Sequence, residues 1–235
     1  EWALGFTDWR GLFWALSILS MVSALAVFFV VPDTMSQTAP ESLSAQISGI
    51  ARVFKSPVFW RIAPLTTLSQ AGYISLQGLW AGPWLRDVAG LDRESVAAML
   101  SWSAMAMILG FILLGVLADF LSRKGIPVRA TAVSGMTAFI GIQCLITFDL
   151  PLPTGLVMVL FGFFGTAGIL SYTALTLDFP STLSGRVTTG INMMVFVAAF
   201  ILQWAIGAVI NLWGVTEANT YDPKGYLAGF SGLLG

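Results

Sequence analysis

The sequence predicts an all-α integral membrane protein, a bundle of about six complete transmembrane helices followed by the start of a seventh. Three observations predict it. Hydrophobic residues make up 57% of the 235 residues and charged residues only 10%, against about 25% charged in soluble domains. So few charges cannot cover a water-facing surface, and with mean hydropathy at +0.84 the solvent must be lipid. Apolar runs of about 20 residues, the length that crosses a bilayer, recur along the chain. Finally, 9 Trp and 17 Phe supply the rings that collect at lipid and headgroup depth.

The first run, 11–31, carries no charge. A polar connection comes after it, ending in SLSAQISGIARVFKSP. There Ile47, Ile50 and Phe54 repeat at helical spacing beside Arg52 and Lys55, which fits a helix lying on the membrane surface; a disordered tether is the other reading. The remaining runs are 58–82, 95–118, 128–148, 154–177 and 187–212, and a seventh begins near Tyr226. Short connections after the second run predict that consecutive helices are antiparallel neighbours. The chain opens on Glu1 without a methionine and closes on SGLLG inside an apolar run. No signal-peptide pattern is present, so a piece of a longer membrane protein is expected.

With no histidine in the chain, Ser-His catalysis, His metal sites and His proton relays are removed. No Ser-Lys or paired-Asp arrangement lies within a run, so no catalytic residue, metal or cofactor is expected. A net charge of −1 argues against nucleic acid as a partner. Cys144 is the single cysteine and cannot form an intrachain disulfide. Of the 11 basic residues, 7 fall on the side that holds the long connection and 4 on the other. The positive-inside bias therefore places that connection in the cytoplasm.

On the same side, GVLADFLSRKG joins the third and fourth runs, with Gly115, Asp119, Arg123 and Lys124 spaced through it. This loop resembles the signature loop of the major facilitator superfamily of secondary transporters, which reads roughly G-x-x-x-D-[RK]-x-G-[RK]-[RK]. Phe120 replaces a basic residue of that pattern and Ser122 a glycine, as in the more degenerate copy of the C-terminal half. PSTLSGRVTTGIN is similar to the family's loop into helix eleven, matched at Gly185 and Arg186. The resemblance implies the end of an N-terminal half at 1–31 (the sixth helix), a central cytoplasmic linker at 32–57, and helices seven to eleven with the start of twelve at 58–235. It also implies a bacterial inner-membrane location, a missing N-terminal six-helix half as partner, and a cytoplasmic gate at Gly115, Asp119, Arg123, Lys124, Gly185 and Arg186. The bland reading of Arg123 and Lys124 is that they only set topology.

Polar groups at bilayer depth usually face a bundle interior or water. In the second run Thr66, Gln70, Tyr73, Gln77, Trp80 and Trp84 fall within an arc of roughly 80° on a regular helix. Gln70, Tyr73, Gln77 and Trp80 are candidates to line a small-molecule substrate path, and Trp84, beside Arg86, reads as an interface anchor. Interhelical hydrogen bonding is the competing reading for the glutamines. In the fifth run Thr166 and Tyr172 are path candidates, while Gly162, Gly165 and Gly168 suit close packing. Asn192 and Gln203 share a face of the sixth run and divide evenly between cavity lining and helix-to-helix bonds. No Asp, Glu, Lys or Arg lies near the middle of any run, which favours uncharged or weakly polar organic solutes. The reading that results is a secondary transporter of a small organic solute working by alternating access. The alternatives are a multidrug-type efflux carrier of the same fold, or a passive channel or scaffold bundle.

Overall fold

The computed structural model describes residues 8–31, 42–216 and 220–234. It is helical almost throughout, with one isolated bridge between Val215 and Tyr221 as the single extended pairing among the described residues. The chain divides into two compact units, 1–43 and 44–235.

Within the first unit, α1 (Trp9–Val30) is a 22-residue helix. Asp8 caps it by accepting from the Gly11 N–H at 2.9 Å. Ser17, Ser20 and Ser23 each donate to the carbonyl four residues back, so no hydroxyl of theirs is left bare in lipid.

The second unit opens within α2 (Leu43–Phe54), just past its first residue, and continues into α3 (Pro57–Ser75). Pro57 starts α3 at a position where its missing N–H costs nothing, while Pro64 lies inside the helix. A π-helical turn, Leu76–Trp80, passes α3 into α4 (Ala81–Asp87). Next comes α5 (Arg93–Arg123), 31 residues long. It ends in a Schellman closure: Ile126 N–H bonds Leu121 O, Gly125 N–H bonds Ser122 O, and Gly125 takes φ +89°, a value glycine adopts without penalty. Beyond it lie α6 (Val128–Thr147), α7 (Thr154–Gly165), α8 (Ile169–Leu177), α9 (Ser184–Ile210) and α10 (Pro223–Ser231).

Among the described residues, five helical segments are long and apolar enough to cross a membrane: Trp9–Val30, Arg93–Arg123, Val128–Thr147, Thr154–Leu177 and Ser181–Trp213. The expected span at 58–82 is the exception. It is built from α3, the π turn and α4, and its Gln, Thr and Ser residues make it less apolar than those five.

The most extensive packings join α5 to α7 and α3 to α9. Consecutive helices are neighbours as the short connections lead one to expect, with α5 against α6 and α6 against α7, but theirs are not the most extensive packings. The closest seams join spans an even number of crossings apart, which must run the same way. On the α5–α7 seam Trp102 meets Gly155, Ser103 meets Gly162, and Gly110 meets Phe163 and Thr166. On the α3–α9 seam the Ser75 hydroxyl donates to Ala199 O at 3.1 Å.

Glycine sets the closeness of the first seam. A Cβ on Gly162 would stand 2.1 Å from the Ser103 carbonyl oxygen, and one on Gly110 2.5 Å from that of Phe163. Lipid tails give helices no hydrophobic reason to associate, so such backbone approach and its dispersion contacts carry the packing. Gly162→Ala should therefore destabilise the bundle by about 1–3 kcal/mol through overpacking. Gly115→Ala should be neutral, since a Cβ there meets nothing within 4 Å. Thermal unfolding of both variants in detergent checks the contrast.

Candidate functional site

The fifth span is broken. Between α7 and α8 the chain turns through Thr166, Ala167 and Gly168, with i to i+3 bonds such as Ala167 N–H to Phe164 O and Ser171 N–H to Gly168 O. This break frees the Gly165 carbonyl, and the buried Gln70 amide of α3 donates to it at 3.0 Å. Both glycines at the break are filled from α3. The Tyr73 ring lies 2.2 Å from where a Gly165 Cβ would be, and Gln70 Nε2 2.4 Å from where a Gly168 Cβ would be. Tyr73 is 7% exposed, packs against Phe139 and Phe161, and has a buried hydroxyl without a partner. Thr166 donates back to Phe163 O at 2.8 Å.

Farther along, the π turn changes the register. Each π turn adds a residue, which rotates the rest of the helix by about 100° relative to a regular one. Gln77, inside it, is half-buried and accepts from the Ser103 hydroxyl at 3.1 Å. Trp80 is buried, and its indole donates to Gln203 O at 3.2 Å. The Gln203 amide reaches Ile74 O at 3.5 Å. Trp84 is 5% exposed and sits in the core, so it is no interface anchor. The residues of the stripe therefore spend most of their polar atoms on neighbouring helices. Tyr172 and Asn192 differ: they pair on the bundle surface, hydroxyl to Oδ1 at 3.3 Å, with Asn192 exposed.

The motif expected as a loop is helical as far as Arg123, in the last turns of α5. There Asp119 and Arg123 pair at 2.9 Å, 65% and 78% exposed. Lys124 Nζ stands 4.4 Å from the Phe120 ring centroid, so the phenylalanine that departs from the signature receives the cation on its face. Neither Gly115 nor Gly185 has an atom within 4 Å of a notional Cβ, whereas Arg186 lays its guanidinium on Gly49 of α2. The structure thus gives Asp119 and Arg186 separate partners.

Sequence reasoning missed Asp87, at the opposite end and beyond the second expected span. Its side chain is fully shielded. It accepts from the Tyr226 hydroxyl at 2.7 Å and the Tyr221 N–H at 3.2 Å, and pairs with Arg86. Both tyrosines belong to a ring cluster with Trp80. Burial by itself would raise its pKa; the hydrogen bonds from Arg86, Tyr226 and Tyr221 outweigh that and hold it below its ordinary 3.8. The signal available in the sequence was an acid at a helix end and, far along the chain, two tyrosines.

Two outcomes are expected. Gln70→Leu should cost about 1–3 kcal/mol of stability, because the Gly165 carbonyl stays buried without a donor; chemical unfolding in detergent measures it. A lowered folded pKa means that Asp87 stabilises the fold above its ordinary value and that the contribution is lost as pH falls through the folded one. Stability should hold from neutral pH to about 5, then fall below about 4, and Asp87→Asn should make that fall shallower.

The chain is 25% identical over 202 residues to the cis,cis-muconate transport protein of Acinetobacter baylyi, an alignment covering 80% of this chain and 47% of that protein. It therefore spans about half the length of the curated relative it matches. No solved structure matches the chain. The family model of the Major Facilitator Superfamily covers residues 2–202, across the linker, the signature-like loop and the broken span alike, and the chain belongs to that superfamily.

Proposed function

We propose that this chain supplies the greater part of the C-terminal half of a secondary transporter that moves a small organic solute by alternating access. Residues 1–31 would then be the sixth helix, 32–57 the central linker on the cytoplasmic side, and 58–235 helices seven to eleven with the start of twelve. The membrane would be a bacterial inner membrane, and an N-terminal six-helix half would complete the path.

The observation that carries the reading is that two spans abandon regular α geometry beside amide and hydroxyl groups. The π turn holds Gln77, and the break at Thr166–Gly168 precedes Tyr172. Non-helical backbone at membrane depth is tolerated where protein or a water-filled cavity covers it, and discontinuous helices commonly frame transporter sites. Gln77, Tyr172, Asn192 and Gln203 keep some exposure, so they are the members of the candidate set best placed to face a solute. Gln70, Tyr73, Trp80 and Thr166, all buried, would shape the path from behind. The relative's name points to an organic acid. No Lys or Arg lies near the middle of a described span, so a carboxylate would meet only hydroxyl and amide donors here and take its countercharge from the other half.

At the loop end, Gly115, Asp119, Arg123, Lys124, Gly185 and Arg186 would form the cytoplasmic gate. The open face at Gly115 leaves room for a helix of the other half.

Counterflow of labelled muconate and of an uncharged analogue in liposomes tests the function, since a carrier exchanges label against an opposing gradient and a channel does not. Gln77→Leu should lower the transport rate per molecule about tenfold, the worth of one hydrogen bond to a charged or polar solute, once the rate is corrected for the abundance lost with the Ser103 hydroxyl bond. Asp119→Ala should shift the balance of inward-open and outward-open forms, read by accessibility labelling from both sides; identical labelling would leave Asp119 a surface ion pair.

A further inference from the structure

The linker helix α2 has two working faces. On one, Gly49 and Val53 are buried. Val53 enters a core with Phe59, Leu183, Val187 and Ile191. Gly49 forms a notch for the Arg186 guanidinium, since a Cβ at Gly49 would stand 2.7 Å from Nη1. The Trp60 indole donates to Phe54 O at 2.7 Å, tying the end of α2 to the start of α3. On the other face Ile47 is 66% exposed and Ile50 48%, with Arg52, Lys55 and Arg61 exposed close by. No Asp or Glu occurs between Ser42 and Arg86.

We propose that α2 is a lipid-seated brace. Its Ile47–Ile50 face sinks into an anionic leaflet while its Gly49 notch grips Arg186 and restrains the start of α9. Two observations select lipid as the occupant. The apolar face is flanked by cations alone, as an anionic phospholipid surface requires. And only Lys55 and Ser56 separate the end of α2 from Pro57, where a membrane crossing starts, so the helix sits at headgroup level. Lipid charge would thereby reach the loop that precedes α9, whichever solute is carried.

The test uses the full-length protein with its cysteines, Cys144 among them, replaced by serine. A nitroxide is placed at Ile50 or at Thr189, in vesicles of phosphatidylcholine with or without phosphatidylglycerol. The Ile50 probe should be reached by oxygen dissolved in the acyl phase and shielded from a water-soluble nickel chelate. That shielding should be greater with phosphatidylglycerol and should weaken in the Arg52→Gln, Lys55→Gln double variant. The Thr189 probe should be immobilised with phosphatidylglycerol and released by Gly49→Ala or Arg186→Lys, with the depth at Ile50 unchanged. An Ile50 probe open to the nickel chelate, or closed to both quenchers because protein covers it, would overturn the proposal. So would a Thr189 spectrum indifferent to the Gly49 and Arg186 variants.

Discussion

The bundle of the second unit depends on how one broken helix is kept satisfied inside lipid. At Thr166–Gly168 the fifth span loses regular i to i+4 bonding, and a bare carbonyl there would cost several kcal/mol in a medium without water. The Gln70 amide removes that cost by donating to Gly165 O. Its stem and the Tyr73 ring occupy the space that Gly165 and Gly168 leave by having no Cβ. One constraint therefore explains three sequence features: the glycine run of the fifth span, the glutamine of the second, and the tyrosine one turn beyond it.

The same logic of small residue against backbone organises the α5–α7 seam, where Ser103 serves two helices. Its backbone carbonyl lies against Gly162 and its hydroxyl donates to Gln77. The site region and the packing core are thus one network, and a polar residue in it serves stability and recognition together. Most of the second span's polar stripe is engaged in this way, while Tyr172 and Asn192 remain on the surface as a pair.

At its two ends the unit is closed by different chemistry. On one, cations dominate: Arg123 pairs with Asp119, Lys124 covers Phe120, and Arg186 sits on α2. On the other, a single carboxylate, Asp87, gathers donors from α4 and from the segment that opens α10. The first end is exposed and held by charges that water screens. The second is shielded from solvent at its carboxylate, where the same hydrogen bonds count for more.

Composition, hydropathy and two short loop patterns determined the solvent, the helical class, most crossing segments and the superfamily, because each is a property of local runs of residues. Those runs also marked Gln70, Tyr73 and Gln77 as polar groups needing an explanation at membrane depth. Which explanation applies was decided only in three dimensions. Gln70 meets its acceptor 95 residues away, Trp80 its acceptor 123 away, and Asp87 its tyrosine 139 away. A helical arc gives a direction but not what lies in it, and it assumes a regular 3.6-residue turn that the π segment breaks. That register change is why the arc through Gln77, Trp80 and Trp84 does not face one way. Tertiary packing also decided that spans running the same way form the tightest seams, since closeness is set by which glycines meet which carbonyls and not by the length of the loops between helices.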